Sequence, residues 1–299
     1  APDRTSTGPA SRPDCAAVAV IKPSAVPAPA LVLLGIASVQ LGAGFAKKLF
    51  EELPPSAVVT LRLATSSIVL VLISRPLLRA GARRWRRGDL AVAGAFGVTL
   101  ATMNYSIYES FSRIPLGIAV TIEFLGPLGV AVAFSRRWID LLWVGLAAAG
   151  VALLTLDDSG AVTAAGVAFA LLAAAAWAGY ILLSAETGRR FPGSSGLALA
   201  SVAATMLVLP VGITTGGTGL LRPDLLLIGA AIGLLSSVIP YTFELEALRR
   251  MPARVFGILM SLEPAVAALV GLVILGEMLD LREWTAIGCV VVACLGATR

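Results

Sequence analysis

Ten predominantly apolar runs follow one another along the chain, at approximately 29–46, 56–74, 89–108, 114–134, 139–156, 163–184, 197–214, 224–245, 253–275 and 281–298. Each is long enough to cross a hydrocarbon layer about 30 Å thick as a helix rising about 1.5 Å per residue. The connections are short and carry the expected breakers, among them Pro54-Pro55, Arg75-Pro76, Asp157-Asp158-Ser159-Gly160, Pro192-Gly193, Gly216-Gly217 and Pro223. No soluble domain is inserted. Residues 1–28 differ: rich in Pro, Ala and Ser, with no apolar run long enough for a signal-peptide core, they read as a disordered cytoplasmic tail. The pattern predicts an all-α polytopic membrane protein of ten transmembrane helices.

Two of the runs break the apolar rule in the same way. The fourth, within residues 113–137, places Glu123 at mid-span and Pro127 four residues later. The ninth, residues 252–277, carries Glu263-Pro264. A carboxylate at the middle of a bilayer is costly, so it is rarely there without a role. Proline has no N–H, so the carbonyl four residues earlier loses its helical partner. That carbonyl belongs to Glu123 in the first case and to Met260 in the second. Setting Pro115 over Pro252 gives an offset of 137, and the same offset sets Pro127 over Pro264. Glu263 then falls opposite Gly126, three residues from the position of Glu123 and on the same helix face. The flanks match as well, ESFSRIP (109–115) against EALRRMP (246–252).

This is an internal repeat, with halves at 29–156 and 157–299. Five helices in each half put the second copy upside down. Inverted repeats with irregular helices near the midplane are a transporter architecture. Many small residues, such as Ala173 to Ala176, allow close helix contact, and packing alone accounts for them.

Composition removes other classes. Hydrophobic residues make up 58 % of the 299, charged residues 14 %, and the mean hydropathy is +0.90, which no soluble domain of this size supports. A net charge of +5 raises nucleic acid as a partner, but the basic residues sit in short loops, where they act as topology determinants. With the amino terminus inside, 17 Lys and Arg lie on the inner side and 5 on the outer, and Arg62 falls within a helix. Both termini are then cytoplasmic. Histidine is absent and the three cysteines are irregularly spaced, so no metal site and no cofactor are expected, and proton coupling would rest on carboxylates. No nucleophile elbow, HExxH or P-loop supports an enzyme. A non-transporting membrane scaffold is the alternative, yet a scaffold has no reason to carry a buried Glu-plus-Pro pair twice.

The pairing of IEFLGPLGVA (122–131) with LMSLEPAVAALVGLVILGE (259–277), preceded by PYTFELEALRRMP (240–252), resembles the threonine/homoserine exporter family, in the EamA branch of the drug/metabolite transporter superfamily. The resemblance covers roughly residues 30–298 and is strongest in the fourth, eighth and ninth helices. It implies a ten-helix exporter of small amino acids and related metabolites in the bacterial inner membrane, with proton antiport. Exporters of other metabolites or drugs share the scaffold. The implied partners are a small-molecule substrate, protons and the bilayer.

Several residues are candidates for substrate or proton binding. Glu123 and Glu263 are read as functional acids, with a structural alternative in which a neutral Glu bonds a neighbouring helix. Glu244, one turn inside the end of the eighth helix, is either a third acid of the site or simply solvated. Asn104, Tyr105 and Tyr241 are cavity-lining or interfacial residues. Gln40 pairs with Trp177 by the same offset of 137. Arg62 either holds a substrate carboxylate or snorkels outward. Lys47 and Lys48 read as ordinary helix-end residues. The pairs Glu109/Arg113 and Glu246/Arg250, just before Pro115 and Pro252, are candidate gates, one at each face; local helix-end pairing is the plainer reading.

Overall fold

The computed structural model describes residues 26–81, 85–135, 137–155 and 162–297, and among these only helices and turns occur. All ten apolar runs fall on helix. The helices are α1 (Ala28–Lys48), α2 (Pro55–Gly81), α3 (Arg87–Phe111), α4 (Leu116–Glu123), α5 (Leu125–Ala133), α6 (Asp140–Thr155), α7 (Ala164–Arg190), α8 (Ser195–Gly216), α9 (Pro223–Gly233), α10 (Ile239–Leu248), α11 (Ala253–Met260), α12 (Glu263–Val270) and α13 (Leu281–Ala297). Prolines open α2 and α9, where the first-turn N–H has no intrahelical acceptor to lose. Thr163 caps α7, its hydroxyl accepting from the Gly166 N–H at 3.1 Å.

Eight stretches are long and apolar enough to cross a membrane, and Asp140–Leu154 is apolar but shorter. Leu33, Leu34, Leu72, Phe134, Trp138, Leu141, Leu227 and Val273 all point outward, a surface that suits lipid and not water. The chain is thus a multi-pass membrane protein. The tail expected over 1–28 lies outside the described residues except for its last three, of which Ala28 already belongs to α1. The boundary between the halves, at 156–161, also lies outside them.

The interior is built from helix pairs brought close by alanine and glycine. α3 packs on α7 and α1 on α10; α2 packs on α8, α6 on α13 and α4 on α12. Gly117 marks the crossing of α4 and α12, because a Cβ there would lie 2.7 Å from the Ala268 backbone. The buried faces of α7 are Ala170, Ala173, Ala174 and Ala176.

The proline-bearing runs are each interrupted by a tight turn. The fourth stops at Glu123, turns at Phe124 and resumes at Leu125; the ninth stops at Met260, turns at Ser261 and Leu262 and resumes at Glu263. Pro127 and Pro264 both sit in the first turn of the second segment. There they remove no bond within that segment, only the one that would have joined it to the first. The first segments, α4 and α11, are 8 residues each and end on Glu123 and Met260, which are 137 apart. The eighth run is interrupted differently, by a π turn at Leu234–Val238 just before Pro240.

Candidate functional site

The broken helices place the acids. Glu263 opens α12 and is 7 % exposed; its Oε1 accepts from Nε2 of Gln40, on α1, at 2.8 Å, and its Oε2 has no hydrogen-bond partner. Glu123, the last residue of α4, is half-buried. The charges of Glu123 and Glu244 both act on Glu263, and that of Arg62 acts on Glu123. Four ionisable side chains from α2, α4, α10 and α12 therefore share one region. Arg62 does not snorkel outward: its guanidinium donates to the Ser236 carbonyl at 3.2 Å and lies 5.4 Å from the ring centroid of Tyr108.

The Ser236 carbonyl is available to Arg62 because Pro240, four residues on, cannot donate to it. The neighbouring Leu235 carbonyl is taken by the Ser38 hydroxyl of α1 at 2.7 Å. Irregular backbone at membrane depth survives where side chains replace its lost partners, and here they do.

Gln40 and Trp177, 137 residues apart, each meet a helix break: Gln40 bonds Glu263, and Trp177 packs edge-on to Phe124 with ring centroids 5.0 Å apart. Tyr241 and Glu244 lie against Tyr180 of α7, whose ring also packs on Phe96. The other polar candidates are placed elsewhere. Asn104 is buried but bonds back to the Leu100 carbonyl of its own helix at 2.8 Å. Tyr105 has Glu109 and Arg113 as its charged neighbours, at the end of α3 and away from the central acids.

Three residues of the region lay outside the sequence reading: Tyr108, Tyr180 and Ser236. Each had a signal. Tyr108 is four residues from Asn104 and Tyr180 three from Trp177, each on a shared helix face. Ser236 follows from applying the proline rule to Pro240.

Both candidate gate pairs are formed. Arg113 bonds the Glu109 carboxylate at 2.6 Å, its guanidinium lying 4.8 Å from the Phe169 ring; Arg250 bonds Glu246 and also the Val26 carbonyl at 3.3 Å. Each pair spans one turn of its own helix end. A longer-range contact is built on Lys47 instead. Its Nζ meets Glu277 Oε1 at 2.6 Å and the Ile114 carbonyl at 2.7 Å, while Glu277 Oε2 accepts the first N–H of α4, from Leu116, at 2.8 Å. The helix-end reading of Lys47 is corrected: it ties α1 to the start of α4 and to the segment beyond α12.

Helices broken in pairs around a shared set of acids, within an apolar shell, define a membrane transporter and not an enzyme. Comparison with known proteins agrees. Residues 164–299 match the model of the EamA-like transporter family. The chain is 40 % identical over 270 residues to the threonine/homoserine exporter RhtA of Escherichia coli (strain K12), covering 90 % of each protein. It is 40 % identical over 273 residues to the protein of the same name from Salmonella typhimurium (strain LT2), covering 90 % of this chain and 91 % of that one. A solved structure described only as a crystal structure of protein shares the fold, with a TM-score of 0.58 over 89 % of this chain at 17 % identity. The chain belongs to the EamA-like transporter family, among the relatives of the threonine/homoserine exporters.

Proposed function

We propose that this protein is a secondary active exporter of small amino acids of the threonine and homoserine kind, working across a bacterial inner membrane by exchange with protons. The substrate class is supported by 40 % identity, over nine-tenths of the chain, to exporters named for those amino acids. The mechanism is carried by one observation: Glu123 and Glu263 stand at the two helix breaks, within reach of each other's charge and, through Glu123, of Arg62. A carboxylate there exchanges a proton for the ammonium group of a substrate, so loading with one displaces the other. Glu244 extends the set toward Tyr241 and Tyr180.

Alternating access follows from ten membrane crossings in two inverted halves, 29–156 and 157–299, with both termini inside. The helix pairing supports this reading. Moving each helix to its partner in the other half turns the α3–α7 contact into the α10–α1 contact, and both exist. The Glu109/Arg113 and Glu246/Arg250 pairs remain candidates for face-specific closure, beside the Lys47 clasp.

The test is transport of labelled threonine in vesicles reconstituted with the pure protein under an imposed pH gradient. Wild type should accumulate threonine against its gradient, and Glu123→Gln and Glu263→Gln should insert normally and lose the pH-driven component. Wild-type transport by both variants would remove the acids from proton coupling. Failure of the wild type to move threonine or homoserine would shift the reading to another metabolite or drug on the same scaffold.

A further inference from the structure

Five of the six buried polar side-chain atoms without a hydrogen-bond partner among the described residues belong to this one region: Gln40 Oε1, Glu263 Oε2, Arg62 Nε, Tyr108 Oη and Ser236 Oγ. They separate into two chemically distinct groups. Gln40 and Glu263 offer oxygens. Arg62, Tyr108 and Ser236 offer hydrogens, and the Nε–H of an arginine can do nothing else. The donors come from three elements, α2, α3 and the π turn at Leu234–Val238, so no single stretch of sequence assembles them. Tyr108 is 1 % exposed and Ser236 5 %. Arg62 and Ser236 are the polar side chains that act on the Tyr108 hydroxyl, yet that hydroxyl has no partner in hydrogen-bonding geometry. Space is made for the Ser236 hydroxyl by Gly42 of α1, where a Cβ would lie 2.2 Å from Oγ.

Buried donors are ordinarily satisfied, and a cluster of unsatisfied ones beside a guanidinium is suited to an anion. We infer that Arg62 Nε, Tyr108 Oη and Ser236 Oγ form the binding site for the carboxylate of the transported amino acid. Glu123, on which the Arg62 charge acts, and Glu263, with its unpartnered Oε2, stand ready for the ammonium group. A zwitterion carries both charges on one carbon and bridges the two groups. The contact to the Ser236 carbonyl is made by a terminal guanidinium nitrogen and leaves the buried Nε without an acceptor. This assignment rests on the amino-acid-export reading and adds to it which atoms recognise the substrate and by which group.

The experiment is counterflow of labelled threonine in reconstituted vesicles, with unlabelled threonine or threoninol, its carboxylate replaced by a primary alcohol, as competitor. Wild type should be inhibited by threoninol at least about tenfold less effectively than by threonine, the loss of one charge-assisted hydrogen-bonded group. Tyr108→Phe keeps the ring that packs near Phe50 and Phe111. It and Ser236→Ala should each raise the half-saturating threonine concentration several-fold and leave inhibition by threoninol unchanged. Arg62→Lys keeps the charge beside Glu123 and loses Nε, so it should narrow the difference between the two competitors most. Equal inhibition of the wild type by both compounds, or full discrimination in Arg62→Lys, would overturn the assignment. Should wild-type vesicles carry no threonine, the export reading fails separately. Thermal unfolding of the pure protein with a panel of carboxylates and their alcohols then decides the site: stabilisation confined to carboxylates supports it, and equal or no stabilisation refutes it.

Discussion

At the scale of single residues, Lys47 is the instructive case. Its ammonium satisfies a carboxylate and a backbone carbonyl from two other parts of the chain, and both partners are largely shielded from water. Removing it leaves Glu277 Oε1 and the Ile114 carbonyl without that donor, at a cost of about 1–3 kcal/mol. Lys47→Met and Glu277→Gln should therefore each lower the unfolding temperature of the purified protein, and the double variant should lose clearly less than their sum. Strict additivity would mean that the two side chains do not act on each other. The sequence showed a lysine at a helix end and no more, because its partner lies 230 positions away and the turn that delivers it is set by tertiary packing. The acids were easier to see. A carboxylate at the centre of an apolar run stands out whatever surrounds it, and Glu123 and Glu263 could be named on that ground alone. Arg62 stood out equally, but where its guanidinium points depended on a carbonyl in another helix.

Among the elements, the two proline positions carry a prediction. Pro127→Ala and Pro264→Ala each restore an N–H able to bond the Glu123 or Met260 carbonyl, a link missing between the segments of each interrupted run. Each variant should keep or gain thermal stability and transport more slowly, checked by melting temperature beside initial export rate. Unimpaired transport in both would make the breaks packing devices. The proline rule located these breaks to the residue because it concerns local backbone bonding. The π turn at Leu234–Val238 obeys the same rule through Pro240, but an extra residue in a helix leaves no mark in composition. Tyr108 and Tyr180 were hidden for a different reason: a tyrosine near a membrane boundary ordinarily anchors at the interface, and only the neighbouring helices reveal one that points inward.

For the whole molecule, the proposed repeat and the charge bias together predict an orientation. Reporter fusions after Arg87 and Arg190 should read as cytoplasmic and fusions after Asp158 and Gly217 as external, following the 17-to-5 division of basic residues. A reversed result at any one of them would rule out two inverted five-helix halves. The helix pairs that would exchange under such a repeat were beyond reach of hydropathy, since every run is apolar on most of its faces and none declares its neighbour.

The π turn also sets a limit on the symmetry of the molecule. A helix that inserts one residue without adding rise turns everything on one side of it by about 100° relative to a regular helix. α3 has no such turn, so the helices that the offset of 137 sets against each other differ in backbone over this stretch. The side chains gathered there have no counterpart. At an offset of 137, Leu199 stands where Arg62 stands in the first half, and Thr99 matches Ser236. The two proline breaks match at this offset, but the guanidinium does not: it is carried by α2 alone and bonds the Ser236 carbonyl across the chain. A substrate bound through Arg62 as proposed would be held by a group without a mirror image, and its outward and inward movement should then differ in rate.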